Sequence, residues 1–211
     1  MQRIRPGHSR FFFHNTFSYC LFMLTLMLLT TVHAMAEPSD WEIDPEHFSI
    51  AFAVEHVGFQ HQLGMFLEAS GHFRYDPQAR QLSGGRVEVQ AASVFSNHQR
   101  RDDHLRSGEF LDAANHPVIV FEATGYTPRS GDSDGGTLAG NLTLLGNTHP
   151  VELDITLNKH ADYPFGHRRE TMGISARTTL LRSNWGMDYG VAGNLVGDEV
   201  ALRFEFEALK Q

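Results

Sequence analysis

The sequence predicts an all-β protein in which eight antiparallel strands close into an up-and-down barrel, with a short helical insert at one end. Apolar and polar residues alternate with a period of two in about eight runs after residue 40, and each run has one apolar face. Only one segment, residues 99–112, has the charged, strand-breaking composition of a helix. Closing the sheet removes its unpaired edges, whereas a two-sheet sandwich is the alternative.

The first half of the domain supplies three predicted strands. Residues 48–56 alternate strictly and direct one apolar face inward: Phe48, Ile50, Phe52, Val54 and His56. A second strand covers residues 66–75, where Phe66 is out of phase with the residues that follow, and this predicts a bulge near Glu68. A third strand covers residues 86–91.

The second half supplies the remaining strands. Strand pattern resumes after the insert at residues 117–123, and a polar loop follows near residues 126–136. Strands at residues 138–144 and 151–157 flank a turn, and a further polar loop precedes the strand at residues 171–180. The last strand, residues 199–209, directs alternate residues inward: Val200, Leu202, Phe204, Phe206 and Ala208.

The inward faces contain several small residues among the bulky ones: Ala69, Gly71, Ala91, Gly140 and Ala176. An eight-stranded barrel can be filled by its own side chains or can hold one ligand. Small inward residues favour a cavity, but bulky neighbours could equally occupy the space they leave. The pattern alone leaves both interpretations open.

The first 36 residues have the organisation of a secretory signal peptide. Three arginines precede an apolar stretch at residues 21–32, and Ala34 and Ala36 supply the small residues of a cleavage site. An uncleaved N-terminal membrane anchor is the alternative. We expect cleavage after Ala36, secretion to the periplasm, and one domain over residues 37–211.

Charge and cysteine content limit the function of that domain. Without the three arginines of the first 36 residues, the 17 Lys and Arg of the chain fall to 14, against 25 Asp and Glu. This acidic balance argues against nucleic-acid binding. The single cysteine, Cys20, lies within the predicted signal peptide, so the domain has no disulfide and depends on its core.

Sequence motifs give no support for catalysis. The chain has no nucleophile elbow, phosphate-binding loop or dinucleotide fingerprint, and no catalytic or metal-binding residue is predicted. Ten of the 13 histidines follow residue 36, but none has metal-ligand spacing. His56 is notable because it ends an apolar face, where an imidazole needs a polar partner. A metal-dependent or redox enzyme using His56 and His104 is the alternative function.

Several motifs together resemble the YceI-like family of periplasmic polyisoprenoid-binding proteins. The resemblance covers nearly all of residues 37–211 in the family's order, and its most specific parts are the Arg-Asp-x-His-Leu and Leu-Thr-x-x-Gly motifs. The matching segments are residues 41–47, 52–58, 64–76, 93–94, 101–112, 117–121, 140–151 and 182–187. Phe48 and His116 depart from the family pattern, which bears on ligand identity rather than on the fold.

The resemblance implies a lipocalin-like barrel that holds a long apolar chain, such as a polyisoprenoid, an isoprenoid quinone or a fatty-acyl chain. It also implies a role in stress responses, transient contact with a membrane or a membrane cytochrome b561-type protein, and leaves a homodimer open. No cofactor other than the bound lipid is expected. The residues predicted to contact this ligand are Ile50, Phe52, Val54, His56, Phe73, Phe121, Leu142, Trp185 and Phe204.

The charged insert then becomes a lid over one barrel opening. Leu105, Phe110 and Leu111 are expected to face inward, and Arg101, Asp102 and His104 to hydrogen-bond among themselves and to neighbouring loops. A second segment, residues 182–187, is expected to fix one barrel end by stacking of Trp185 and by a salt bridge from Arg182 to an aspartate.

Overall fold

The computed structural model describes residues 37–132 and 134–211. The predicted signal peptide lies outside these residues and stays a prediction. Within the described ranges, no helix is long and apolar enough to cross a membrane. The described residues form ten strands and one α-helix: Ser39–His56 (β1), Gln60–Phe66 (β2), Ala69–Asp76 (β3), Gln81–Gln90 (β4), Val94–Phe95 (β5), Gln99–Arg106 (α1), Val118–Pro128 (β6), Gly135–Leu144 (β7), Asn147–Asp162 (β8), Glu170–Leu181 (β9) and Val196–Lys210 (β10).

These strands form a closed antiparallel barrel. Hydrogen bonding runs in the order β10-β9-β8-β7-β6-β4-β3-β1, and β1 also pairs with β10, which closes the sheet. The closing seam extends from Trp41 opposite Lys210 to His56 opposite Val196. Counting β2 and β3 as one interrupted strand gives the eight-stranded barrel that the sequence predicts, and the closed seam excludes the sandwich.

The second predicted strand is interrupted at its bulge. β2 pairs with the second half of β1 and β3 with the first half, and residues 67–68 lie between them. The backbone amides of Leu67 and Glu68 instead donate to Ser93 Oγ, each at 3.1 Å. The strand also begins earlier than predicted, at Gln60, because pairing with β1 continues through Gly64.

Other strands are longer than their hydrophobic alternation predicts. β1 begins at Ser39, and β8 continues to Asp162 through a polar hairpin with β9. Backbone pairing does not depend on which side chains face water, so a ladder can extend where alternation has stopped. A four-residue irregularity in β1 separates Ile43 from Phe48, the two positions between which its pairing with β10 shifts register.

The two ends of the barrel differ. We call the end with α1, the β1–β2 turn and residues 182–195 the cap end, and the end where β3, β6 and β8 terminate the base. The base contains a packed core of Trp41, Met172 and Ala208, all fully buried. Trp41 stacks on Phe73 with ring centroids 6.4 Å apart, and its indole donates to the Tyr75 carbonyl.

The helix of the insert is shorter than the charged segment that predicts it. α1 ends at Arg106, and the chain then turns back through residues 107–113. The Leu111 amide donates to the Leu105 carbonyl at 3.0 Å, and the Asp112 amide donates to the Ser107 carbonyl at 2.8 Å. These bonds bring Phe110 and Leu111 under the helix, where both are buried.

Candidate functional site

The inward side chains of the barrel enclose an apolar cavity of about 580 Å³. Every strand of the closed barrel contributes to its lining, because alternate residues of each strand point inward. Most of the polar side chains in the lining belong to the cap end: Glu55, His56, Gln62, Arg101, His104, Arg182 and Tyr189. The cavity is therefore an apolar chamber with its polar groups gathered at one end.

Eight of the nine residues predicted to contact a ligand line this cavity: Ile50, Phe52, Val54, His56, Phe121, Leu142, Trp185 and Phe204. Phe73 lies elsewhere, in a smaller cavity of about 120 Å³ on the base side. It stacks on Trp41, which holds it in the base. For all nine residues, contact with a ligand stays a prediction.

The small inward residues do not all leave open space. A side chain at Gly140 would clash with the Phe121 ring, and one at Gly64 would clash with the Phe52 ring. A side chain at Gly71 would meet Ile43 and Val87. At Gly140 and Gly71, bulky neighbours thus fill the space, as the alternative interpretation of the sequence proposed. Ala69 and Ala176, in contrast, do line the main cavity.

The insert lies over the cavity as the lid interpretation predicts. Leu105, Phe110 and Leu111 all line the cavity, and so do Arg101 and His104. Phe110 and Leu111 also pack in the same buried cluster as Phe52 and Trp185. The lid is thus part of the cap-end core.

Ser96 organises the polar side of the lid. The Asp102 carboxylate, which is 6% exposed, accepts hydrogen bonds from the Ser96 amide and hydroxyl. Arg101 donates from Nε to Ser96 Oγ at 2.7 Å and from a terminal nitrogen to the Ser96 carbonyl at 2.6 Å. We expected Arg101 and Asp102 to hydrogen-bond to each other, but both side chains bond to Ser96 instead. They meet through Ser96, just before α1.

His104 belongs to a separate contact at the outer edge of the lid. Its Nε2 bonds to the Glu109 carboxylate, rather than to Arg101 or Asp102 as expected. Its ring meets Phe110 and Tyr189 edge-on, with centroids 4.9 Å and 5.1 Å away. Because Tyr189 lies in the segment that follows β9, His104 links α1 to that segment.

Arg182 fixes the segment between β9 and β10, but not through the expected salt bridge. The side chain is 3% exposed, and no carboxylate of the described residues lies within salt-bridge distance. It donates at 2.7–3.0 Å to four backbone carbonyls, those of Met187, Tyr189, Val196 and Gly197. Burial lowers the pKa of Arg182, and the nearby Asp198 and Asp188 oppose that effect.

Trp185 closes the cavity wall beside this arginine. It is 2% exposed, and its Nε1 donates to the Leu142 carbonyl at 3.0 Å. The Trp185 carbonyl in turn accepts from Asn147 Nδ2 at 3.0 Å. Both bonds satisfy polar groups that would otherwise be buried without partners, and they leave the indole face to the cavity.

One cluster of potential metal ligands exists, and it lies outside the cavity lining. Within residues 37–132 and 134–211, the only group of three such side chains close together is Asp44, His47 and Glu207. His47 Nδ1 lies 2.8 Å from Asp44 and 3.8 Å from Glu207. The hydrogen bond to Asp44 raises the pKa of His47, because it favours the imidazolium. A protonated His47 can therefore itself serve as the cation for both carboxylates.

Neither His56 nor His104 belongs to a ligand group of this kind. Both line the cavity, but zinc and copper sites in proteins use about three convergent ligands. The metal-enzyme alternative thus gains no site at the cap end from the side chains that the structure describes.

Several lining residues are not among those predicted from the sequence. Met187, Tyr189 and Leu195 line the cavity from the irregular segment after Trp185, and Val196 lines it from the start of β10. Hydrophobic periodicity cannot assign a face to a segment without regular structure. The sequence feature that could have pointed to these residues is the Arg182–Trp185 motif, because Arg182 holds the segment in place.

A closed antiparallel barrel around an apolar cavity is an architecture that can hold one small ligand. The model of the YceI-like domain matches residues 41–208, and this chain belongs to the YceI-like family. A UPF0312 protein of Pseudomonas aeruginosa is 35% identical over 188 residues, which cover 87% of this chain and 93% of the relative.

Solved structures share the fold. BcnA of Burkholderia cenocepacia superposes with a TM-score of 0.69 at 18% identity and covers 78% of this chain and 98% of its own. A domain from Saccharophagus degradans, described as a polyisoprenoid binding domain implicated in plant cell wall breakdown, has a TM-score of 0.59 at 12% identity. It covers 81% of this chain and 98% of its own.

Proposed function

We propose that this protein is a periplasmic carrier that holds a long apolar lipid inside its barrel and has no catalytic activity. The observation that carries the proposal is the cavity of about 580 Å³ with apolar walls and polar groups at one end. The candidate ligands are a polyisoprenoid, an isoprenoid quinone or a fatty-acyl chain. The polyisoprenoid binding domain with the same fold supports the first of these.

Apolar burial alone can bind such a ligand. Each methylene transferred from water into the cavity contributes about 0.8 kcal/mol, so a partly enclosed chain needs no charged anchor. The mostly apolar lining favours the chain, and Arg101, His56 and Gln62 at the cap end can meet a polar head. The acidic composition of residues 37–211 would keep the loaded carrier soluble between membranes.

The predicted signal peptide supports a periplasmic location. The absence of cysteine after residue 36 is compatible with secretion, because the barrel does not depend on a disulfide. The family resemblance adds a stress-related role, a membrane cytochrome b561-type partner and a homodimer as expectations.

Fluorescence of Trp185 can test ligand uptake. The chain has two tryptophans, of which Trp185 lines the cavity while Trp41 is buried in the base. We expect a dansylated fatty acid or isoprenoid to accept energy from Trp185 in the delipidated protein, and Trp185→Phe to remove most of that transfer. Trp41→Phe is the matched control. Absence of saturable uptake by the wild-type protein would contradict the carrier function.

The cap end carries an exposed apolar rim suited to a membrane surface. Val57, Tyr189 and Leu195 line the cavity and are also exposed to solvent, so the cavity reaches the surface there. Phe59, at the tip of the adjoining turn, is 89% exposed. We propose that these four residues, the apolar rim, contact a bilayer while lipid enters or leaves, because exposed apolar groups at an interface gain burial in the acyl region.

Vesicle binding tests this contact. We expect Phe59→Ser to weaken binding to phosphatidylcholine vesicles about tenfold, the loss of one buried aromatic side chain. Phe165→Ser is the matched control, because Phe165 is 65% exposed at the base. The acidic domain should gain nothing from added phosphatidylglycerol. Equal loss in both variants, or binding that depends on anionic lipid, would contradict contact through the rim.

A further inference from the structure

A second cavity continues the main one toward the base. Its volume is about 120 Å³, and its lining includes Phe73, Tyr75 and Met172. Six side chains line both cavities, each from a different strand, and together they form the layer that separates them. We call this layer the partition: Ile43, Val87, Phe121, Leu138, Ile155 and Phe206.

Phe121 is held in the partition by its neighbours. It lies opposite Val87 on β4 and Leu142 on β7. Its ring occupies the space above Gly140, where a side chain would clash with it. A glycine at that position therefore provides the room that the ring needs, and the ring can extend into the barrel interior. Truncating the Phe121 side chain would open the partition and leave the strand pairing intact, because the hydrogen bonds between strands are made by the backbone.

The rest of the layer is less suited to act as a removable barrier. Ile43 and Val87 fill the space above Gly71 on β3, which has no side chain to contribute. Phe206 lies opposite Phe48 on β1 and Ile174 on β9, within the closing seam. Phe121 lies on β6, between β4 and β7 and away from that seam. Of the two aromatic residues in the partition, Phe121 is the one whose ring packs over a glycine, Gly140.

We propose that the small cavity is a terminal subsite for the apolar chain, and that Phe121 sets the longest chain the barrel accepts. This inference rests on the proposed function of lipid carriage. A chain confined to the main cavity ends at the partition. A longer chain gains about fourfold in affinity for each further methylene that it buries, but only if the partition gives way. Phe121 thus acts as a ruler for chain length.

The test compares farnesol, geranylgeraniol and solanesol by displacement of a dansylated fatty acid from the delipidated protein. In Phe121→Ala we expect the affinity for the longer alcohols relative to farnesol to rise about fifteenfold or more, equivalent to two or more newly buried methylenes. Phe121→Leu, which keeps most of the packing, should give a smaller rise in the same direction. Phe204→Ala is the matched control, because Phe204 lines the main cavity but not the small one.

The outcomes separate this inference from the carrier function. If the wild-type protein binds farnesol and both Phe121 variants keep its relative affinities, Phe121 is not the ruler. An equal shift in Phe204→Ala would also overturn the inference, because it would show a general effect of widening. If the wild-type protein binds none of the alcohols and no fatty acid, the carrier function fails and the ruler with it.

Discussion

The base and the cap end terminate the same strands in opposite ways. At the base, Trp41, Met172 and Ala208 are fully buried against one another, and the cavity beside them is only about 120 Å³. At the cap end, the barrel interior is hollow, and the wall is completed by an insert and an irregular segment held by Arg182 and Ser96. The same architecture therefore contains a closely packed end with a small cavity and a hollow end whose cavity is several times larger.

The ends also differ in the exposed side chains that border the cavity. Ion pairs lie at both ends, Lys210 with Glu170 at the base and Arg106 with Asp103 on the insert. The cap end exposes apolar side chains, of which Phe59 and Leu195 are the most prominent near the cavity. We therefore expect mutations at the base to affect mainly stability, and mutations at the cap end to affect mainly the release of a bound ligand.

The largest expected effect is on stability at the base. Trp41→Ala should lower the free energy of unfolding by about 3–5 kcal/mol, because it leaves a cavity in a closely packed core. Urea denaturation measures this loss. Phe59→Ala at the cap end is the matched control and should change stability by less than about 0.5 kcal/mol, since its ring is exposed. Similar losses in the two variants would contradict the division between the ends.

A smaller loss is expected from the arginine of the cap end. Arg182→Lys keeps the charge but cannot donate to four carbonyls at once, so buried acceptors lose their partners. We expect a loss of about 3 kcal/mol in urea denaturation, with faster lipid release. Arg203→Lys is the control, because Arg203 lies on the exposed outer face. A stable Arg182→Lys variant would show that these bonds do not hold the segment.

The lid should affect retention more than stability. Asp102→Ala removes both bonds to Ser96, and we expect about 1–2 kcal/mol of destabilisation with several-fold faster release of a bound fluorescent lipid. Asp103→Ala is matched in type and position, but its carboxylate is 59% exposed and pairs only with Arg106. The lid interpretation would be wrong if release from Asp102→Ala and from the wild-type protein occurred at the same rate.

The smallest effect concerns pH at the base. The bond to Asp44 raises the pKa of His47 above its usual 6.5, so its contribution is complete below 6.5 and is lost as pH rises through the folded-state pKa. For Asp44, burial raises the pKa, but the bonds from His47 and the Glu46 amide outweigh burial and lower it below 3.8. The contribution of Asp44 is therefore present above 3.8 and lost as pH falls through the lowered value.

The pair of His47 and Asp44 therefore stabilises the seam between β1 and β10 most between pH 3.8 and pH 6.5. The melting-temperature difference between the wild-type protein and His47→Gln should be largest there and should shrink at alkaline pH. Gln60→Ala, at an exposed position on β2, removes no ionisable group and is the control that should leave the pH profile unchanged. A difference that grew at alkaline pH would contradict the assigned protonation state.

Much of the barrel is predictable from the sequence because strand alternation reports which face is buried. The alternation of apolar and polar residues alone predicts that Ile50, Phe52 and Val54 of β1 face the interior, and all three line the cavity. Leu105, Phe110 and Leu111 of the insert also line the cavity, and their role as a lid stays a prediction. The family resemblance then favoured a hollow interior over a filled one.

The remaining features depend on contacts between segments distant in sequence. Alternation predicts that Phe73 faces the barrel interior, but it does not predict the depth of Phe73 along the barrel axis. Stacking on Trp41 places Phe73 in the base, outside the main cavity. The partners of Arg182 are backbone carbonyls of an irregular segment, which no side-chain pattern encodes. The role of Ser96 between Arg101 and Asp102 likewise depends on a turn before the helix.

The central claim is that the hollow end holds a lipid, and solvent extraction tests it most directly. The protein should be purified without detergent from the periplasm, extracted with chloroform and methanol, and analysed by mass spectrometry, with Phe121→Leu prepared in parallel. The carrier function predicts one long apolar chain per barrel, with a longer mean chain length in Phe121→Leu. An empty wild-type barrel that also takes up no isoprenoid or fatty-acyl chain would contradict it.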